Sequence, residues 1–153
     1  MKELFFVLAI TIYATAMAQR SPGRLVCESD EIAVNGVCQP CYVGNIDVKT
    51  TDQIEWMQSQ YCIVGNVAVV GPDYGDDGRY TSLDFGQLRA IRGNLIVKMQ
   101  FIQSLTADYL RVYGWTTVVN CTWLCWQDGQ FFLDDVGTGG RTIRAGLKEN
   151  SCE

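Results

Sequence analysis

Three segments of the chain repeat one alternation of apolar and polar residues around a glycine. They are IVGNVAVV (63–70), IRGNLIVK (91–98) and VYGWTTVV (112–119). When the glycines are aligned, the positions two before, two after and four after them are apolar in every segment except at Thr116. A period of two places these side chains on one side of the backbone, so each segment is predicted to be a strand with one buried face.

The sequence between these strands repeats as well. Ser82-Leu83 is followed five residues later by Leu88, and Ser104-Leu105 is followed in the same way by Leu110. The glycines lie 28 and 21 residues apart, which is the range of leucine-rich and β-solenoid coils. A short strand cannot bury its apolar face alone, whereas stacked coils share a continuous core. We therefore predict a mainly β protein that forms a short parallel β-helix, a leucine-rich-like solenoid; an antiparallel sandwich is the alternative.

The first 18 residues are typical of a secretory signal peptide. An apolar run over residues 4–14 precedes Ala16-Met17-Ala18, which fits the small-x-small cleavage pattern. The run is shorter than the roughly 20 residues that a membrane span requires, although a retained N-terminal anchor is the alternative. The expected organisation is a signal peptide (1–18), a cysteine-containing leader (19–40) and one domain (41–153), which makes the protein secreted and extracellular without a membrane span.

All seven cysteines follow the predicted signal peptide. In an oxidising compartment they indicate a disulfide framework, and the odd number leaves one thiol over. Cys27 and Cys38 enclose a short loop and are predicted to pair. The spacing of Cys38 and Cys41 also fits a redox dithiol or half a zinc site, but the chain has no second such pair and no histidine. Asn120 begins an N-glycosylation sequon, Asn120-Cys121-Thr122.

A short helix is predicted in TTDQIEWMQSQYC (50–62), where Thr51 or Asp52 is a suitable N-cap. Its apolar residues at helical spacing are Ile54, Met57 and Tyr61. A solenoid must cover both of its open ends. A Cys41–Cys62 disulfide would hold this helix over the first end, and a Cys125–Cys152 disulfide would close the other.

The order of these features resembles the receptor L domain, the β-helical repeat of insulin-receptor and EGF-receptor ectodomains. The resemblance runs from Cys41 to Cys152. It is carried by a cysteine, a helix and a second cysteine directly before Ile63-Val64-Gly65, by AIRGNLIV (90–97), SLTADYLRVYG (104–114) and NCTWLCW (120–126), and by a final cysteine. It implies a single L domain whose sheet face contacts an insulin-like or EGF-like peptide or a receptor of such a ligand. Cys121 has no place in the family pattern and is the cysteine that the predicted pairs leave over.

The remaining alternate residues of the three strands are predicted to face outward. Contiguous exposed apolar surface usually marks a partner site, and Trp and Tyr are the usual anchors of such sites. The candidate partner-binding residues are Tyr113, Trp115, Ile96, Val64 and Val70, with Arg92 and Lys98 at the rim. The alternative is that GPDYGDDGRY (71–80) or the C-terminal segment covers this face.

The composition excludes several function classes. A net charge of −5 without a run of Lys or Arg argues against nucleic acid. The absence of histidine removes the commonest general base and the usual catalytic triads, so no enzyme, catalytic residue, metal or cofactor is expected. The leading hypothesis is a secreted binding module that acts as a decoy, carrier or modulator of an extracellular peptide or receptor ectodomain. The alternative is a structural component of the extracellular matrix, or a dimer linked by a disulfide through Cys121.

Overall fold

The computed structural model describes residues 25–72, 74–75, 78–136 and 142–145. The predicted signal peptide lies outside this part of the chain. In chain order, the elements are β1 (Glu31–Val34), β2 (Val37–Pro40), β3 (Tyr42–Val43), β4 (Ile46–Val48), α1 (Thr51–Gln58), β5 (Cys62–Val64), β6 (Val67–Val69), β7 (Tyr74–Gly75), β8 (Gly78–Arg79), β9 (Ser82–Asp84), β10 (Ala90–Ile91), β11 (Leu95–Val97), β12 (Ser104–Thr106), β13 (Arg111–Val112), β14 (Thr116–Val119), α2 (Trp126–Val136) and β15 (Thr142–Ala145). The prediction of a mainly β protein is confirmed.

The strands form three parallel sheets. One has four strands in the order β13-β10-β5-β3, the second has five in the order β15-β14-β11-β6-β4, and the third pairs β12 with β9. In each of the two larger sheets, the order of the strands in space is their order along the chain, and a connecting segment separates each pair of neighbours. Parallel pairing is therefore confirmed, and β1–β2 and β7–β8 form two antiparallel pairs.

Aligning the three repeats on their glycines predicts the register in which their strands pair in the structure. Ile91 pairs with both Ile63 and Val112, and Leu95 pairs with both Val67 and Thr116. All six side chains are almost completely buried, because a period of two sends every member of the aligned set to the same face. Thr116 is the polar exception, and its hydroxyl is the one buried side-chain oxygen or nitrogen without a hydrogen-bond partner among the described residues.

The repeated linkers form the third parallel sheet. Leu83 of β9 pairs with Leu105 of β12, and both are buried in the core. The second leucine of each linker, Leu88 or Leu110, is buried at the approach to the next strand. The leucine repeat therefore reflects one shared core, to which residues of all three parallel sheets contribute.

Close backbone stacking explains the glycines between the strands. A Cβ atom on Gly93 would meet the carbonyl group of Gly65, and one on Gly65 would meet the carbonyl group of Gly44. The side chain of Asn66 accepts the N–H of Asn94 at 2.9 Å, and that of Asn45 accepts the N–H of Asn66 at 2.8 Å. Because glycine has no Cβ atom, the backbone segments of successive repeats can approach closely. The side chain of the asparagine after the glycine then accepts a hydrogen bond from a backbone N–H of the next repeat.

A fourth copy of the strand pattern precedes the three that the sequence analysis recognised. In CYVGNIDV (41–48), Gly44 takes the position of the aligned glycines, and β3 and β4 pair in parallel with β5 and β6. Helix α1 follows this copy and buries Ile54 and Met57, as predicted. Its N-cap is Thr50 and not Thr51 or Asp52, because Thr50 and Gln53 form a reciprocal capping box.

Two predicted disulfides are present. Cys41–Cys62 joins the residue before β3 to the first residue of β5, on either side of α1. Cys27–Cys38 closes the leader, in which β1 and β2 form a hairpin. Asn35 and Gly36 both have positive φ, 50° and 78°, as a two-residue hairpin turn requires.

Helix α2 follows β14 along the chain and packs on β12, β13 and β14. It buries Gly129, Phe132, Leu133 and Val136, which lie on one helical face, and the ring of Phe132 stacks on that of Phe85 with centroids 5.6 Å apart. Cys125, directly before the helix, is disulfide-bonded, but its predicted partner, Cys152, lies outside the described residues. Neither α1 nor α2, the helices of the described ranges, is long and apolar enough to cross a membrane.

Candidate functional site

The outer surface of the four-stranded sheet is only partly open to solvent. Cys62, Ala90 and Arg111 occupy equivalent outward positions on β5, β10 and β13. Cys62 and Ala90 are buried, whereas Arg111 is exposed. The sheet is therefore closed over β5 and β10 and open to solvent at β13.

Arg92 is bound to the leader and does not lie at an open rim. Its guanidinium donates hydrogen bonds to the backbone carbonyls of Ser29 and Glu31, the second at 2.7 Å. The side chain is half-buried. These hydrogen bonds hold the leader against the sheet, and a role of Arg92 in selecting the charge of a partner stays a prediction.

Val64 and Val70 are also less accessible than predicted, since both are half-buried. The leader, which the sequence analysis did not consider, contacts the sheet at Arg92, and the predicted cover by the C-terminal segment falls largely outside the described residues. The candidate segment over 71–80 lies largely outside the residues whose side chains are described. The open surface is therefore smaller than the set predicted from the outward positions.

Three predicted anchors remain exposed, Ile96 on β11 and Tyr113 and Trp115 in the connection between β13 and β14. Tyr113 is 51% exposed, Trp115 44% and Ile96 41%. Ile96 pairs with Thr117, two residues after Trp115, and the side chain of Asn94 accepts the N–H of Trp115 at 2.8 Å. These contacts place the segments of Ile96 and Trp115 side by side. Lys98 is exposed two residues after Ile96, so the structure brings four of the seven predicted residues to one open region.

Two further exposed residues extend this region and were missed by the sequence analysis. The alternation that exposes Tyr113 continues backwards through Arg111 to Tyr109, which is 67% exposed. Arg111 lies 5.4 Å from the ring centroid of Tyr113, and Arg89 lies 4.0 Å from that of Tyr109. The period of two was the available signal. We call Ile96, Tyr113 and Trp115 the aromatic face.

The thiol of Cys121 is inside the protein. Cys121 is fully buried, and its sulfur lies 3.5 Å from the carbonyl oxygen of Val119, to which it donates a weak hydrogen bond. A disulfide between two copies requires an accessible sulfur, so the predicted dimer through Cys121 is inconsistent with this fold. Asn120 is exposed with a φ of 55°, and its glycosylation stays a prediction.

A cleft of about 310 Å³ lies at the third sheet and contains two carboxylates. It is lined by Asp84, Phe85, Gly86, Thr106, Asp108 and Tyr109. The Asp84 carboxylate accepts the N–H of Gly86 at 2.8 Å and the side-chain amide of Gln58 at 3.2 Å. These bonds connect α1 to the turn after β9, so Asp84 has a structural role in the cleft.

Metal-ligand geometry occurs once in the described ranges, at Cys27, Glu31 and Cys38. Both sulfurs are joined in a disulfide, and a disulfide sulfur is not the thiolate that binds zinc. This cluster therefore does not fit a metal site.

Comparison of the chain with protein-family models, with curated proteins and with solved structures finds no match.

Proposed function

We propose that this chain is a secreted, non-catalytic binding module that captures an extracellular peptide or receptor ectodomain. The observation that carries the proposal is the exposure of Trp115, and of Tyr113 two residues before it, beside Ile96 of the parallel strand β11. Large aromatic side chains cost little conformational entropy when they are fixed and bury much apolar area, which is why Tyr and Trp dominate binding energy at interfaces.

The scaffold supports such a role. The backbone of this region is fixed by parallel pairing, by the stacked glycines and by hydrogen bonds from asparagine side chains. A rigid support lowers the entropy that an interface must overcome on binding. Tyr113 and Trp115 would anchor the partner, and Lys98 would lie at the edge of the contact.

We further propose that the three parallel sheets are the walls of a short β-helix of the receptor L type. Support comes from their common core, from the order of strands along the chain and from the Cys41–Cys62 bond on either side of α1. By that resemblance, the ligands are insulin-like or EGF-like peptides or the ectodomains of their receptors, and the module acts as a decoy, carrier or modulator. The two disulfides among the described residues are compatible with secretion.

Affinity capture from extracellular fluid of the source organism tests the proposal. The wild-type bait is compared with a Tyr113→Ser/Trp115→Ser variant and with a matched control, Tyr42→Ser/Trp56→Ser. The control pair is also a Tyr and a Trp, which are 37% and 40% exposed and in mutual contact near α1. Circular dichroism first establishes that all three proteins are folded.

The proposal predicts that mass spectrometry finds a peptide hormone or a receptor ectodomain with the wild type and the control, but not with the Tyr113/Trp115 variant. Recovery of matrix proteins alone, equally with all three baits, would contradict it and would favour the structural alternative.

A further inference from the structure

The segment that follows β14 contains the one Asn-x-Ser/Thr sequon of the chain, Asn120-Cys121-Thr122. Cys121 is fully buried in the core, whereas the residues on either side of it are exposed. Asn120 has a φ of 55°, a left-handed conformation that asparagine tolerates better than most residues. The fold therefore leaves the Asn120 side chain accessible to a bulky modification such as a glycan.

Two contacts hold the sequon and the residue after it against the turn that follows β11. The Thr122 hydroxyl donates a hydrogen bond to the carbonyl oxygen of Gln100 at 3.1 Å. The ring of Trp123 meets that of Phe101 edge to face, with centroids 5.3 Å apart. Asn120 lies three residues before Trp123, and three residues span at most about 11 Å. The first two sugars of an N-linked glycan are long enough to cross that distance.

The aromatic pair formed by Phe101 and Trp123 is open to a covering group. Trp123 is 40% exposed, and Phe101 is half-buried. A pyranose ring has an apolar face of C–H groups. When that face lies on an exposed indole, apolar surface of both partners leaves water while the sugar hydroxyls stay solvated. A glycan fixed at Asn120 is already close to this pair, so its packing there is favoured by a high effective concentration.

We propose that Asn120 carries an N-linked glycan whose first sugars pack on the Phe101–Trp123 pair. In the transfer, a bond forms between the Asn120 side-chain nitrogen and the anomeric carbon of an oligosaccharide carried on a polyprenyl pyrophosphate. The bond from that carbon to the pyrophosphate oxygen breaks, the lipid pyrophosphate leaves, and the amide nitrogen gives up one proton. This inference rests on the secretion in the proposed function and not on the capture of a partner. The glycan is also separate from the aromatic face, since Trp115 precedes β14 and Asn120 follows it.

Comparison of the full chain with and without the glycan tests the inference. The glycosylated protein is secreted by a eukaryotic host, and the identical chain is produced in the bacterial periplasm, which forms disulfides but does not attach this glycan. Intact mass shows whether one N-glycan is present, and thermal unfolding then compares the two forms. Both forms are also made of Trp123→Ser and of a control, Trp56→Ser. Trp56 is a matched control because it is likewise 40% exposed and meets one ring, that of Tyr42, edge to face.

We expect one N-glycan on the secreted chain. The midpoint of thermal unfolding should be about 3 °C higher for the glycosylated form, the shift that a small gain in apolar burial gives a domain of this size. The same difference is expected for Trp56→Ser, whereas it should disappear for Trp123→Ser. A secreted chain without a glycan, equal midpoints for the two wild-type forms, or a stabilisation that Trp123→Ser leaves unchanged would overturn the inference.

A second measurement does not depend on the folding of the Trp123 variant. In the wild type with an isotope-labelled glycan, NMR should show nuclear Overhauser effects between the first sugars and the indole of Trp123, and their absence would contradict the packing. Neither measurement involves a binding partner. A missing glycan on the secreted chain would therefore refute this inference alone, and a failed ligand titration would refute the capture of a partner alone.

Discussion

Replacement of Gly93 by alanine is predicted to destabilise the protein by about 3 kcal/mol, although it adds a single methyl group. The new Cβ would meet the carbonyl group of Gly65 and would lie 3.1 Å from the nitrogen of Asn66. These are backbone atoms that cannot rotate away, so the two chain segments must separate by roughly 1 Å to reach an ordinary C···O contact of about 3.3 Å.

That separation stretches two hydrogen bonds made by Asn94, the residue directly after the glycine. The N–H of Asn94 donates to the Asn66 side chain at 2.9 Å, and the N–H of Val67 donates to the carbonyl of Asn94 at 2.8 Å. Each bond contributes about 1 kcal/mol, and the strain of overpacking adds about 1 kcal/mol more.

Urea unfolding, followed by tryptophan fluorescence with the disulfides intact, measures this loss. Gly36→Ala is the control, because Gly36 has a φ of +78° but no atom within 4 Å of a new Cβ. It should cost about 1 kcal/mol from left-handed backbone strain alone. A loss for Gly93→Ala that is no larger than the loss for Gly36→Ala would refute the stacking argument.

Three further predictions concern buried groups. Thr116→Val should stabilise the protein by about 1 kcal/mol, because the Thr116 hydroxyl is buried without a partner among the described residues; an unchanged or lower free energy of unfolding would argue against this. The Cys121 thiol should resist a thiol-specific reagent in the native protein and react after unfolding, since it is fully buried; rapid native modification would show that it is accessible. Burial, followed by the carboxylates of Asp84 and Glu55, raises the pKa of Tyr80 above 10.0. Because the folded protein then holds this proton more tightly than the unfolded chain, the stabilisation is complete below pH 10.0 and is lost as the pH rises through the raised pKa. Stability curves of the wild type and Tyr80→Phe should therefore diverge above that pH, and parallel curves would contradict the shift.

The register of the sheets was predictable because it depends on local pattern. A shift of one residue would turn Ile91, Leu95 and Val97 out into solvent, so the alternation fixes the buried face, and the aligned glycines then fix which residues pair. The fourth strand copy was harder to recognise because Tyr42 replaces the aliphatic residue found in the other copies. The repeated Gly-Asn pair at 44–45, 65–66 and 93–94 was the signal that would have identified it.

Helix α2 could also have been predicted from the sequence. Gly129, Phe132, Leu133 and Val136 follow the spacing of an amphipathic helix and are its buried residues. The position of Arg92 could not have been predicted in this way, because its acceptors, Ser29 and Glu31, lie more than 60 residues away in a leader with no repeat. Contacts of that kind depend on tertiary packing, which is why the open part of the predicted surface was overestimated.

The most direct test of the binding function is a surface plasmon resonance titration with insulin-like peptides, EGF-like peptides and their receptor ectodomains. The wild-type chain, the Tyr113→Ser/Trp115→Ser variant and the Tyr42→Ser/Trp56→Ser control are each immobilised after their folding has been verified. We predict that at least one ligand binds the wild type and the control with equal affinity and binds the Tyr113/Trp115 variant at least tenfold more weakly, since loss of one interface anchor costs about 2 kcal/mol or more. Equal binding to all three proteins, or no binding of any ligand to the wild type, would contradict the proposal that the aromatic face captures such a partner.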